Sequence, residues 1–570
     1  MKQMTTAPAL LMPAGSFDAL RAAVAGGADE VYLGGRMANA RMRAKNFSDE
    51  EMRRGVGLCH EAGVKVYVTV NTLVLDREME DILKYVLFLY REQVDGLIVA
   101  DLGLASRIHE LVPDFPLHAS TQAGGHCLTG AEDFARRGFS RMVASRELTY
   151  AQIRELAEHS PIPIEIFIHG AHCVSCSGQC LLSAVMGGRS GNRGSCAQPC
   201  RLPYNGGYPL SLKDMCLAGH MTEILNTKVA SLKVEGRMKP AEYVYGVARI
   251  YRRLLDERRN ASPKEWETLQ SLFSRTGFTD GYFTGKIGKG MGGIRRDEDK
   301  KASAGSLKMK PCGRVLPPVE ERPERKKDIT LPKGERPAPA KPLRREAMAK
   351  SAFFLRPGQV CGEKYFDEIY LPLHCFDAKK ANGIALPPVI CDDEAEQVRE
   401  KLARARRQGA EHLLIAHPGQ TALVGGLGYQ LHGDFRLNLT NSSSVRTLSE
   451  YADVLLSPEL TLPQIRDIAG EKAVIAYGRL PLMVLTIRIG VPELKDRKGS
   501  AFPVVQYDQS EWVLNSVPLY MGDRQEKLAR CGVKKMHFLF TTESAEECRK
   551  VIRAFQLEEA PAGAFRRIQG

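Results

Sequence analysis

No stretch of this chain stays apolar for the ~18 to 20 residues that a membrane-spanning helix requires. The richest run, Ile82 to Tyr90, is short and carries Lys84. The opening MKQMTTAPALLMPAG has no sustained apolar core behind its lysine, which argues against a secretory leader. The expectation is a cytoplasmic protein with no membrane association. Neither H-E-x-x-H nor G-x-S-x-G occurs, so the zinc-peptidase and nucleophile-elbow signatures are missing. No glycine-rich dinucleotide fingerprint follows the first strand. With 44% hydrophobic and 26% charged residues, wholesale disorder and a collagen-like rod are excluded.

What the chain does have is length, positive charge and thiols. Its 570 residues allow two to four domains, or a barrel plus a smaller unit. The 80 Lys and Arg against 67 Asp and Glu leave a formal charge of +13. Such an excess suits a polyanion partner, because cations displacing counterions from phosphates drive nucleic-acid binding. A basic tail that aids solubility is the plainer explanation. A reducing compartment argues against disulfides among the 14 cysteines.

From Ala9 to Val234 short β-branched runs alternate with helical stretches. Strands are expected at Leu10–Met12, Glu30–Leu33, Lys65–Val70, Gly96–Ala100, Pro116–Ala119, Arg141–Ala144, Pro163–Ile168 and Ser231–Val234. Ser48 leads into a capped helix at DEEMRRGVGLCHEAG. Eight strands with intervening helices predict a TIM-like (β/α)8 barrel, with an open doubly wound sheet as the alternative. Barrel active sites gather at the C-terminal ends of strands. Those ends carry Asn71, Gln122, Arg146, His169, Glu235 and Arg237 among other polar residues. Lys233 and Glu235, two apart on one strand, point to the same side; for them an interior ion pair is as good an explanation as catalysis.

Between Ile168 and Ser231 the chain makes an excursion of about 60 residues, long enough to suggest function. It holds Cys173, Cys176, Cys180, Cys196, Cys200 and Cys216. The pairs Cys173/Cys176 and Cys196/Cys200 could hold zinc. Four of the six thiolates could instead hold an iron–sulfur cluster. The C-x2-C-x3-C order is the reverse of the radical-initiating motif, which is discounted. Buried or redox-active thiols without metal are the plain alternative.

The stretch EIFIHGAHCVSCSGQCLLS resembles the signature of the collagenase-like peptidase family U-thirty-two. SGNRGSCAQPCR, SLKDMC, LKVEGRMK, LMPAGS and FTDGYFTG extend the resemblance over roughly residues 9 to 297, with His172 standing where the family has an aliphatic residue. The resemblance implies a 4Fe–4S cluster at a barrel mouth, held by Cys173, Cys180, Cys196 and Cys216. It also implies oxygen-independent hydroxylation of a pyrimidine in tRNA or 23S rRNA, with prephenate as hydroxyl donor, or of a quinone precursor. The alternatives are a collagenase-type endopeptidase and a non-catalytic, zinc-bound RNA-binding protein. In the hydroxylase reading His169, Glu235 and Arg237 handle protons and bind anions. Arg146, Asn71, Gln122 and Lys233 hold the substrate and the dicarboxylate.

The expected domains are 1–297, with the cysteine insertion at 170–229, a basic Pro-rich linker at 298–351, and a second α/β domain at 352–570 resembling a partial barrel. Its strands are expected at Ala352–Leu355, Glu368–Leu371, Gly383–Ile390, His412–Ala416, Phe435–Leu439, Val454–Ser457 and Ala473–Tyr477. It is read as a binding or scaffold domain, with Asn438, Asn441 and Arg479 as surface candidates.

Overall fold

The computed structural model describes residues 7–42, 44–295, 341–560 and 563–569, with 310, 325, 329, 331, 338 and 340. Most of the linker expected at 298–351 lies outside the described residues. Arg325, from within that stretch, donates to the Tyr90 and Val94 carbonyls and stands over the rings of Tyr90 and Phe115.

Ten strands build the first sheet. They are β1 (Ala9–Ala14), β2 (Glu30–Leu33), β3 (Lys65–Val70), β4 (Gly96–Val99), β5 (Leu117–Ala119), β6 (Phe139–Val143), β7 (Ile164–Gly170), β8 (Asp214–Cys216), β9 (Ser231–Val234) and β10 (Phe278–Thr279). Strands β1 to β7 run parallel in sequence order, and β9 pairs with both β7 and β1, closing an eight-stranded ring. Most strand residues are buried on both faces, as expected of parallel strands sheathed in helices. Ser48 and Glu51 form the expected capping box. The short β8 lies antiparallel on the end of β7, at the rim.

The interior of this barrel is held by charge as well as by apolar packing. Arg141 donates to both Glu30 oxygens at 2.8 and 2.9 Å and to Glu165 at 3.2 Å. Lys233 donates to Glu165 at 2.6 Å, and Ser231 and Tyr67 donate to Glu30. Every member of this buried network has a partner, the condition under which such a network stabilises a single arrangement.

The second ring consists of β11 (Ala349–Phe354), β12 (Glu368–Pro372), β13 (Gly383–Ala385), β14 (His412–Ile415), β15 (Gln430–Gly433), β16 (Asp453–Leu455), β17 (Lys472–Gly478) and, after an excursion, β23 (Lys535–Phe540). The excursion carries β18 (Pro481–Leu485), β19 (Glu493–Lys495), β20 (Ala501–Tyr507), β21 (Ser510–Leu514) and β22 (Leu519–Tyr520). Because β23 pairs in parallel with both β17 and β11, this ring also closes with eight strands. The partial barrel expected here is therefore a complete one. Residues Phe435–Leu437, expected to be a strand, form a short helical turn, and the strand is the more polar Gln430–Gly433 just before it.

The two barrels meet mouth to mouth. Beyond β15, Thr440 and Asn441 donate to the Val74 carbonyl, and Asn441 also donates to Asp101. Asn438 donates to the Gly178 carbonyl, and Asn192 donates to Glu459. Asn441 is thus fully buried between the barrels and not on the surface where the sequence reading put it. Arg479 donates to the carbonyls of Asn515 and Ser516. No described helix is long and apolar enough to cross a membrane.

Candidate functional site

A cavity of about 190 Å³ lies where the mouth of the first barrel is covered by the cysteine insertion. Strand ends and the insertion supply its walls: Asn71, Gln122, Arg146, Lys233, Glu235 and Arg237 from the former, Cys173, Cys176, Cys180, Cys196 and Cys200 from the latter. Met483 of β18 contributes from the second barrel's excursion. That strand clamps the insertion by backbone bonds from Cys176 to Val484 and from Leu181 to Leu482, both 2.8 Å. Gly178 permits the tight path between the first cysteines. Its φ of +77° is left-handed, and a Cβ there would sit 2.2 Å from the Gln122 carbonyl oxygen.

Burial raises the thiol pKa values of Cys173, Cys176 and Cys180, and pushes Cys200 up to about 12. Buried thiols held this high stay protonated unless a cation claims their sulfurs. No described cysteine is in a disulfide. Amides reach the sulfurs, as where Gln198 donates to Cys196 Sγ at 3.4 Å. This donor set fits a soft metal centre.

Two of the expected residues stand apart. Cys216 is fully buried outside the cavity, its sulfur 3.7 Å from the Tyr251 hydroxyl. The thiols that share the cavity are Cys173, Cys176, Cys180, Cys196 and Cys200, and Cys216 of the expected set does not line it. His169 packs among Tyr243, Tyr251 and Phe278 and does not line the cavity. Its Nε2 has no partner, and burial lowers its pKa to about 3. The cause is local: the β7–β9 register shifts between Phe167 and His169, so Phe167 faces the cavity and His169, two residues on, faces out.

The remaining residues meet. Glu235 lies 3.3 Å from Arg41 and 3.7 Å from Arg146. Burial would raise its carboxyl, but Arg41, Arg146 and Arg237 outweigh that and hold it below its ordinary value. Arg146 lies over the Phe167 ring at 4.0 Å. Arg237 donates to Thr69, Asn39 and Asn46 at 2.7 to 3.0 Å, and burial brings its pKa down to about 10. The Nε atoms of Arg146 and Arg237 are buried without partners. Lys233 takes the interior ion-pair role, on Glu165. Three guanidinium groups therefore face one carboxylate, and the cavity suits an anion. Arg41 escaped the sequence reading because it sits seven residues beyond Gly34, in a long loop after β2.

Residues 15–292 match the sequence model of Peptidase family U32. "Uncharacterized protease MJ0090" of Methanocaldococcus jannaschii is 35% identical over 300 residues, covering 48% of this chain and 72% of that protein. The chain belongs to peptidase family U32. Its U32 relatives also include "tRNA hydroxylation protein P1" of Bacillus subtilis, 35% identical over 270 residues, which are 44% of this chain and 64% of that protein. "23S rRNA 5-hydroxycytidine C2501 synthase" of Escherichia coli is 39% identical over 259 residues, 43% of this chain and 39% of that protein. The U32 match falls on the first barrel, where the cavity lies.

Proposed function

We propose that this protein hydroxylates a pyrimidine in tRNA or 23S rRNA without molecular oxygen, using an iron–sulfur cluster and a small dicarboxylate of the prephenate type. The observation that carries the proposal is the meeting of soft sulfur donors and unbalanced guanidinium groups in one cavity. The names of two relatives, a tRNA hydroxylation protein and a hydroxycytidine synthase, point to the reaction class. Cys173, Cys180, Cys196 and Cys200 would hold the cluster, with Cys176 as an extra thiol. When bound, such a cluster would supply one-electron chemistry beside the bound anion. Tetrahedral zinc would require sulfurs about 3.8 Å apart, from bonds of about 2.3 Å. The described donor groups that close to within 4.8 Å of one another are Glu368/His412/His432 and Cys391/Asp393/Glu394, not the cavity thiols. Among the described residues no three of the cavity thiols close to within 4.8 Å of one another, as a single zinc ion would need.

Arg41, Arg146 and Arg237 would receive the carboxylates. Arg146, seated on Phe167, is already oriented to do so. Glu235, kept ionised between arginines, is the group placed to accept a proton beside the bound anion. Asn71 and Gln122 offer amides to the pyrimidine edge. Neither histidine that the peptidase reading would pair with a cluster thiol is placed as a base. His169 faces away, and His172 stacks on Tyr282 with both ring nitrogens unpartnered.

The test is mass spectrometry of RNA nucleosides from a strain lacking the gene. A hydroxylated pyrimidine should vanish, return with the wild-type chain and stay absent with Arg146→Ala. An unchanged inventory of hydroxylated nucleosides would rule the reading out.

A further inference from the structure

More cations stand at this mouth than the cavity uses. The turn after β9 carries Lys239, two residues beyond Arg237, and its side chain lies over the Phe273 ring. The guanidinium groups of Arg275 and Arg295 stand 5.3 and 4.3 Å from the same ring centroid. Three cations thus share one phenyl ring. Asp214 pairs with Arg275 and leaves its Oδ2 buried without a partner. Among the described residues neither Lys239 nor Arg295 has an ion pair.

This crowding costs stability. Burial, with Arg275 and Arg295 adding to it, brings the Lys239 ammonium down to about 7 against the pull of Asp214 and Glu235. An anion over the patch would relieve the repulsion and return the proton to Lys239. The patch is graded for such a visitor: Lys239, Phe273 and Arg275 are half-buried, Arg295 is exposed, and Met238 beside them is 60% exposed. Forked and single donors side by side can take a phosphate through charge-assisted bonds, and apolar Met238 and Phe273 offer a surface to a base.

We propose that Lys239, Arg275 and Arg295 bind a backbone phosphate of the RNA strand whose neighbouring nucleotide enters the cavity; this rests on the RNA reading above. The same turn that places Arg237 in the cavity places Lys239 in the patch, two residues on.

The test is the salt dependence of RNA binding by the full-length protein, with oligouridylate and bulk tRNA as probes. Lys239→Gln combined with Arg295→Gln should weaken binding at least tenfold at about 0.1 M salt. It should also lower the log–log salt slope by about 0.7, the share of one phosphate on a single strand. Arg295→Glu alone, at an exposed position, guards against a folding defect and should weaken binding as strongly with an unchanged melting temperature. Wild-type affinity and slope in these variants would overturn the patch while leaving the RNA reading in place. A wild-type protein that binds neither probe would overturn both, and tight binding of acidic peptides instead of RNA would reassign the patch to a protein partner.

Discussion

Glu147 shows how single residues tie this site together. Its carboxylate accepts from Ser177 N and Oγ at 2.9 and 3.0 Å and pairs with His126 at 2.7 Å, joining the loop after β6 to the cysteine loop. Burial alone would raise its pKa, yet His126 and the Ser177 amide hold it down at about 2 from an ordinary 4.5. The folded carboxyl thus gives up its proton more readily than the unfolded one. Its contribution, about 3 kcal/mol at about 1.4 kcal/mol per unit, is complete above about pH 4.5 and drains away as pH falls toward 2. Glu147→Gln should flatten that acid limb in urea unfolding measured across pH, and an unaltered limb would show that the pair carries no such energy. At this scale the sequence was informative where a residue's position along a strand settled its direction. Arg146, Glu235 and Arg237 follow the ends of strands and face the cavity. His169 obeys the same rule on paper, and a one-residue register shift turns it away.

Elements decide how the barrels meet. Helix Leu102–Leu111 begins at Asp101, which caps it by accepting from Leu104 and also accepts from Val74, Asn441 and Ser444. Gly103, in its first turn, lets the helix approach the second barrel, for a Cβ there would sit 2.3 Å from Asn441 Oδ1 and from Ser444 N. Helix propensity by itself favours alanine over glycine by about 1 kcal/mol. Packing at this seam has the opposite sign: Gly103→Ala should cost about 1 to 3 kcal/mol in equilibrium unfolding. A stabilised variant would mean that the barrels are not held at this seam. The second barrel was less legible than the first at two of its strands. Strand β15 reads Gln-Leu-His-Gly. The closing strand, β23, follows an antiparallel excursion that breaks the βα rhythm.

At the scale of the whole molecule, one barrel holds the cavity and the other covers it. The first contributes charge from its strand ends and sulfur from its insertion, and the second pins that insertion with β18 and seals the seam with buried amides. This arrangement was invisible in the sequence, since nothing in either half marks a mouth-to-mouth contact. Of Cys200 and Cys216, only Cys200 opens on the cavity. The most direct test is the iron and acid-labile sulfide content of protein purified without oxygen. Cys200→Ser should lose the iron, the sulfide and the brown colour, whereas Cys216→Ser should keep all three. Iron retained in Cys200→Ser, or lost only in Cys216→Ser, would contradict the account.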